Sequence, residues 1–346
     1  MEQTKRYTLL RTLVAGTLLL TGIALYQMVQ APWAAGILFI SRRWMAVFLV
    51  GILGLIVEMG LLASSWTPRF QAISTGFDAL VHILGRLKLW NLGLFGLAIG
   101  LFSFLLIGRY GLTFEDVYLR LFLFWLVVLA GSVFLKASGL QRGWVELLGA
   151  SLLVAAAGYK AASFLTDISN YPFTMGWSEA SRFYYASLFF SRQVYGIQVP
   201  PSVLHPSRYL MQSAPFLIPN SPIWVHRLWQ VVLWVGVTLI TSYCVARRLA
   251  IPGRVQRWLL VALAFIFLLV GPVYYHLQVP LILVLLTFDR RRFWKTLVGV
   301  LLASIWAGIS RINWFPVPGM LAALLYFLEQ PAEKRSFWRY LIPPFL

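Results

Sequence analysis

Two acidic residues, Asp167 and Glu179, lie in a long stretch of this apolar chain that also carries several arginines. A carboxylate beside a hydroxyl group can take its proton as a general base, and the planar fork of an arginine suits the oxygens of a phosphate. Glu179 and Arg182 are three positions apart, so a helix would place them on one face. These residue types predict proton transfer next to a bound phosphate.

Further polar side chains fall in segments that we place on the same side of a membrane. The candidate substrate-binding residues are Arg182, Tyr184, Tyr185, Arg208, Arg227, His276, Gln278, Arg311 and Asn313. Glu179 and Asp167 are the catalytic candidates, and their spacing does not choose between them. Glu179 could instead be an ordinary first-turn helix acid paired with Arg182, and Asp167 could cap the end of a helix.

The composition predicts a membrane protein. Hydrophobic residues make up 60% of the chain and charged residues only 12%, whereas about a quarter of a soluble domain is charged. The net charge of +18 comes from short basic clusters between apolar runs, which is the pattern that membrane insertion selects. The single cysteine, Cys244, lies inside an apolar run, so it offers no intrachain disulfide. We expect membrane lipids as partners and no nucleic acid.

About ten apolar runs are predicted to cross the hydrocarbon layer, for which a helix needs about 20 residues. They lie near 8–28, 44–64, 89–108, 117–135, 144–165, 224–246, 257–274, 275–288, 296–310 and 315–328. The run 275–288 is short and is assigned because the basic stretch DRRRFWK follows it. The predicted fold class is an all-α polytopic integral membrane protein with one long extracytoplasmic loop.

The distribution of basic residues orients these runs. With the N-terminus in the cytoplasm, the inner segments carry about twice as many lysines and arginines as the outer ones, as the positive-inside rule requires. Only SRRW, at 41–44, runs against this orientation. We therefore predict a multi-pass protein of the plasma membrane whose long loop is extracytoplasmic.

This topology divides the chain into three regions. A five-helix membrane region spans 1–165, the extracytoplasmic loop spans 166–223, and a second membrane region spans 224–346. The last apolar run, WRYLIPPFL, is too short to cross, which fits a fragment of a longer chain or a short interfacial anchor.

The extracytoplasmic loop is too long to be a simple connection, and irregular stretches of this length are usually functional or disordered. Its composition argues against disorder. Its many tyrosines and phenylalanines are typical of segments that lie at the level of the lipid headgroups. Within it we predict a juxtamembrane helix over 178–192, with Ser178 as the N-cap and Glu179 in the first turn.

The loop resembles a known family. The stretches WSEASRFYYASLFFSRQVYG, HPSRYLMQSAPFL and SPIWVHRLWQVVLW, which follow Asp167, resemble the first extracytoplasmic loop of GT-C glycosyltransferases of the aminoarabinose-transferase and protein O-mannosyltransferase type. The resemblance covers about 165–330. The matching positions are Glu179 for the second acid of the family's acidic pair, Arg182 with Tyr184 or Tyr185 after it, Pro206 or Pro215 in the proline segment, and Arg227 at the next span.

The resemblance implies a glycosyltransferase that moves a sugar from a polyprenyl-phosphate carrier to a lipid, glycan or protein acceptor at the outer leaflet. Ser178 stands where the family has its first acid, so Asp167 and Glu179 both stay open as the base. Arg182, Arg227 and Arg311 would hold the phosphate. A lipid-linked sugar is the expected partner. No cofactor is expected, and a divalent metal ion stays an open alternative.

Two other classes of function fit the same composition. A transporter or flippase of lipid-linked intermediates would use the aromatic and cationic loop without making bonds, and a non-catalytic subunit would need it only for assembly. Glu58 and Lys160 lie within apolar runs, where ionisable residues default to functional hypotheses. For Glu58 we favour a hydrogen bond between helices over a proton or ion site, and for Lys160 we favour a side chain that reaches toward the headgroups.

Overall fold

The computed structural model describes residues 2–30, 38, 40–108, 111, 117–176, 178–249, 251, 253–271 and 273–329. Within these ranges every regular element is a helix and there is no strand, which confirms the all-α prediction. The chain forms two compact units, Met1–Ser163 and Phe164–Leu346. The predicted loop 166–223 and the helices that follow it therefore belong to one unit.

The first unit is a bundle of long helices. In chain order they are α1 (Glu2–Gln30), α2 (Arg42–Ser64), α3 (Arg69–Gly85), α4 (Trp90–Ile107), α5 (Val117–Ala137) and α6 (Trp144–Ala162). All but α3 are apolar along their length, as the sequence predicted. Helix α3 was not predicted, because polar residues interrupt its 17 residues and leave no continuous apolar run.

Small residues let α4, α5 and α6 approach closely. Gly131 in α5 is buried, and a methyl group added to it would overlap the ring of Phe95 in α4 and the hydroxyl of Ser151 in α6. The Ser151 hydroxyl donates a hydrogen bond of 2.7 Å to the carbonyl oxygen of Val128. Close packing of small residues and side-chain hydrogen bonds are the main forces between helices in a bilayer, where lipid removes the hydrophobic drive.

The second unit contains short helices followed by long ones. They are α7 (Glu179–Ser187), α8 (Ser191–Tyr195), α9 (Pro206–Gln212), α10 (Ile223–Arg248), α11 (Arg254–Leu269), α12 (Tyr275–Thr287), α13 (Phe293–Ser310) and α14 (Val317–Glu329). The helix predicted over 178–192 is therefore divided, because a 3₁₀ turn over Leu188–Phe190 separates α7 from α8. Ser178 occupies the N-cap position of α7, but its side chain makes no capping hydrogen bond.

Eight helices in the described ranges are long and apolar enough to cross a membrane, and they support a multi-pass membrane protein. Helices α11 and α12 have 16 and 13 residues, which is short of the length that a crossing needs. Gly271 lies between them with a φ of +94°, a backbone conformation that favours glycine. The estimate of about ten spans stays a prediction.

The core of the second unit joins α10, α12, α13 and α14. Cys244, Val284, Ala303 and Leu325 lie within it. Arg248, near the end of α10, donates to the carbonyl oxygens of Leu285 and Phe288 at 3.1 and 2.8 Å. These carbonyls lie at the C-terminal end of α12, where the helix itself offers no backbone donors for them. Arg248 also contacts the carboxylate of Glu329 at 2.9 Å, so one side chain connects three helices.

We expect Gly131→Ala to destabilise the first unit by about 1–3 kcal/mol, because the added methyl group has no room between Phe95 and Ser151. The thermal unfolding midpoint of the purified protein measures the effect. The matched control is Gly149→Ala in α6, where the added methyl group meets nothing within 4 Å. Equal midpoints for the two variants would contradict the packing argument.

Candidate functional site

A buried ion pair between Arg227 and Glu179 lies at the centre of the second unit's polar region. Arg227, in the second turn of α10, is 2% exposed, and Glu179, the first residue of α7, is 7% exposed. The Arg227 Nε donates to Glu179 Oε1 at 2.9 Å, and Nη2 donates to Oε2 at 3.0 Å. The two parallel bonds form a bidentate pair, the strongest arrangement of these groups.

The remaining donors of Arg227 bind the chain that leads into α7. Its Nη1 donates to the carbonyl and hydroxyl oxygens of Ser169 at 2.8 and 2.9 Å and to the Tyr171 carbonyl at 2.9 Å. Its Nη2 reaches the Phe173 carbonyl at 3.0 Å. A guanidinium has five N–H groups, and here each finds an acceptor. Arg227 therefore fixes residues 169–175 and the start of α7 against α10.

Glu179 is held as a carboxylate by these contacts. Burial opposes its ionisation, but hydrogen bonds from Arg227 and from the Met175 backbone N–H, which lies 2.8 Å from Oε2, outweigh burial and lower the pKa below its ordinary value. Both carboxylate oxygens already accept hydrogen bonds. A group with a low pKa and occupied lone pairs is poorly suited to act as a base.

Asp167 lies at the end of a 3₁₀ turn over Ser163–Asp167, and its side chain is exposed. It lines a small open cavity of about 110 Å³ beside Glu179, Arg182 and Arg227. Gln230 and Trp234 from α10 complete the polar and aromatic wall. Four of the residues that the sequence singled out therefore meet at one cavity.

Sequence reasoning missed Gln230 and Trp234. They follow Arg227 by three and seven positions, so a helix that presents Arg227 to the cavity presents them as well. That spacing is the signal that could have found them. The Trp234 ring lies 6.3 Å from Phe164, another residue of the cavity lining.

Arg182 connects this cavity to a second cationic group. Its Nε donates to the Ser178 carbonyl at 3.1 Å, and burial, followed by the nearby charge of Arg208, lowers its pKa. Arg208 in α9 and Arg311 at the end of α13 lie 5.6 and 5.9 Å from the centre of the Tyr274 ring. Contact with the face of an aromatic ring stabilises each cation. Three arginines therefore raise the electrostatic potential of this side of the unit.

His276 and Gln278 lie under this cationic group and are fully buried. The His276 ring stacks on Tyr274 at 5.8 Å, and neither of its nitrogens has a hydrogen-bond partner within the described ranges. Gln278 donates from Nε2 to Thr238 and to the Val273 carbonyl, at 3.2 and 3.0 Å, while its Oε1 has no partner there. Buried polar atoms without partners are uncommon in proteins and mark places where water or a ligand binds.

The other predicted residues lie elsewhere in the second unit. Tyr184 is exposed, and its ring contacts that of Tyr185 at 5.4 Å. Tyr185 also contacts Tyr209 at 5.1 Å, so these tyrosines form an aromatic group on α7 and α9. Asn313 is exposed in a 3₁₀ turn over Ile312–Trp314. Neither Asn313 nor these tyrosines line the Asp167 cavity.

In the part of the chain that the structure describes, no group of three or more His, Cys, Asp or Glu side chains lies close enough to hold a metal ion. What the site offers is one exposed carboxylate, one buried ion pair and a set of arginines. Such an arrangement can accept a proton from a hydroxyl and attract an anion.

We expect Arg227→Lys to destabilise the second unit by about 1–3 kcal/mol, because an ammonium cannot keep the bidentate bond and has too few donors for the carbonyls of residues 169, 171 and 173. Thermal unfolding in detergent measures the change. Arg192→Lys is the matched control, since Arg192 is exposed in α8 of the same loop. A midpoint for Arg227→Lys equal to that of the control would remove Arg227 from its role in ordering the loop.

The low pKa of Glu179 also predicts a pH dependence of stability. The ordinary pKa of the group is 4.5 and its pKa in the folded protein is lower, so the unfolded chain takes up a proton first as the pH falls. The stabilisation by Glu179 is complete above about pH 4.5 and is lost as the pH falls through the folded pKa. Unfolding midpoints measured against pH should fall less steeply in this range for Glu179→Gln than for the wild type, and parallel curves would contradict the assignment.

No protein-family model matches the chain, and comparisons of its sequence with curated proteins and of its structure with solved structures gave no significant match.

Proposed function

We propose that this protein is a glycosyltransferase of the plasma membrane that takes its sugar from a polyprenyl-phosphate carrier at the outer leaflet. The observation that carries the proposal is the meeting of Asp167 and Arg182 at one open cavity whose wall is fixed by the buried pair of Arg227 and Glu179. The cavity thus combines a solvent-facing carboxylate with an arginine. The resemblance of the loop to GT-C transferases favours the same chemistry.

In this proposal the two acids have different roles, which their surroundings support. Asp167 is the base, because it is exposed and faces the cavity. Glu179 is a positioning residue, because both of its carboxylate oxygens accept hydrogen bonds from Arg227 and Met175. Of the two acids that the sequence leaves open, the proposal therefore takes Asp167 as the base.

The arginines supply the charge that the leaving group needs. In the transfer step an acceptor hydroxyl oxygen forms a bond to the anomeric carbon of the sugar, and the bond from that carbon to the phosphate oxygen breaks. The proton of the hydroxyl passes to Asp167, and the carrier leaves as a polyprenyl phosphate with an added negative charge. Arg182 faces the cavity and has Arg208 near it, so the growing charge meets a positive potential.

We expect Asp167→Asn to lower transfer at least 100-fold, which is the usual contribution of a general base, while the unfolding midpoint stays near that of the wild type. The measurement uses proteoliposomes that contain a polyprenyl phosphate bearing a tritiated hexose, and it follows the release of polyprenyl phosphate. Asp289→Asn is the matched control, because it makes the same substitution at an acid in the turn before α13.

Two results would count against this proposal. Full transfer by Asp167→Asn would remove Asp167 as the base. Movement of the labelled lipid between leaflets without any change in its headgroup would show a flippase instead. Glu179→Gln separates the roles further, since a positioning residue should lose activity together with stability, whereas loss of activity alone would return Glu179 to the role of base.

A further inference from the structure

The first unit contains an apolar cavity of about 350 Å³ that the proposed chemistry does not use. Side chains of α1, α2, α3, α5 and α6 line it, among them Leu13, Phe77, Val133 and Trp144. Its volume lies within the range of small-molecule sites, which are mostly apolar with a few placed polar groups. Glu58 is the single ionisable residue in the lining that the structure describes.

Only one of the two carboxyl oxygens of Glu58 has a hydrogen-bond partner in the described ranges. The Thr21 hydroxyl of α1 shares its proton between the Thr17 carbonyl at 2.9 Å and Glu58 Oε1 at 3.0 Å. The contact with Glu58 is the hydrogen bond between helices that the sequence favours. Glu58 Oε2 is buried and has no hydrogen-bond partner in the described ranges. A buried carboxyl oxygen without a partner is costly.

The hydroxyl groups of the cavity lining do not supply that partner. Thr17 donates to the Leu13 carbonyl at 2.8 Å and accepts from the Trp125 indole N–H at 2.8 Å. Ser132 donates to the Leu129 carbonyl at 2.7 Å. Both hydroxyls are committed to their own surroundings, so neither is a partner for Glu58 Oε2.

We propose that this cavity binds an apolar molecule bearing one primary amine, with the amine bonded to Glu58 Oε2. An amine satisfies the carboxyl group in both of its protonation states, because a neutral acid donates to the amine nitrogen and a carboxylate accepts from an ammonium. The second arrangement gives a charge-assisted hydrogen bond, which is about twice as strong as a neutral one. The aliphatic and aromatic lining contacts the apolar body of the guest.

Charge complementarity favours the amine over other occupants. No lysine or arginine lines the cavity within the described ranges, so no cation there balances the charge of Glu58 when it is ionised. An anionic guest would place like charges together, and an acyl chain would leave Oε2 unbonded. The proposal concerns the first unit alone and does not depend on the transfer chemistry of the second.

Three probes that share one rigid apolar cage test the proposal. They are 1-aminoadamantane, 1-hydroxyadamantane and adamantane-1-carboxylate, measured by equilibrium dialysis against the full chain in lipid nanodiscs, with empty nanodiscs subtracted. We expect saturable binding of the amine, binding of the alcohol that is about tenfold or more weaker, and no binding of the carboxylate. Equal affinities for amine and alcohol, or no saturable binding of the amine, would overturn the proposal.

Variants test separately how much the Glu58 carboxyl group and the cavity volume each contribute to binding. Glu58→Gln should weaken binding of the amine about tenfold or more and change that of the alcohol little. Ala130→Phe, which keeps Glu58 but fills space in the lining, should abolish binding of both. Glu146→Gln is the matched control, an exposed acid at the start of α6, and should bind like the wild type. Unchanged amine binding in Ala130→Phe would place the guest elsewhere and overturn the assignment.

Discussion

The bidentate contact between Arg227 and Glu179 is the constraint on which the cavity beside Asp167 and Arg182 depends. Removing a guanidinium from water is costly unless each N–H finds an acceptor, and Arg227 meets this condition with six oxygen atoms that all lie between residues 169 and 179. The backbone that supplies them can take few other paths. One side chain of α10 thus gives a fixed course to a segment without regular structure of its own.

This constraint also gives the two acids different surroundings. The hydrogen bonds that let Glu179 stay charged while buried are the same ones that lower its pKa and occupy its oxygens. Asp167 comes before the ordered segment, is exposed and faces the same cavity. The pair of acids therefore divides into one that builds the cavity wall and one that faces solvent across it. Arg182, one turn beyond Glu179, takes its position from the same anchored helix start.

The helices and several site residues could be predicted from the sequence, because apolar runs and polar residue types are local signals. Each of the predicted runs overlaps a helix, and Arg227, Glu179, Asp167 and Arg182 are all candidates by residue type and position. The pairing of Arg227 with Glu179 could not be read from the sequence, because the bond joins positions 48 residues apart. Helix α3 could not be predicted for a different reason, since an amphipathic helix has no continuous apolar run.

The two units apply one rule to buried ionisable groups with different results. Arg227 has a partner for every donor, so its guanidinium holds the chain that leads into α7 in place. Glu58 has a partner for one oxygen and none for the other, and the free oxygen is buried among the residues of an apolar cavity. A saturated buried charge is part of the scaffold. An unsaturated one keeps the capacity to select a guest, since the free energy of its missing bond is available only to a molecule with the complementary group.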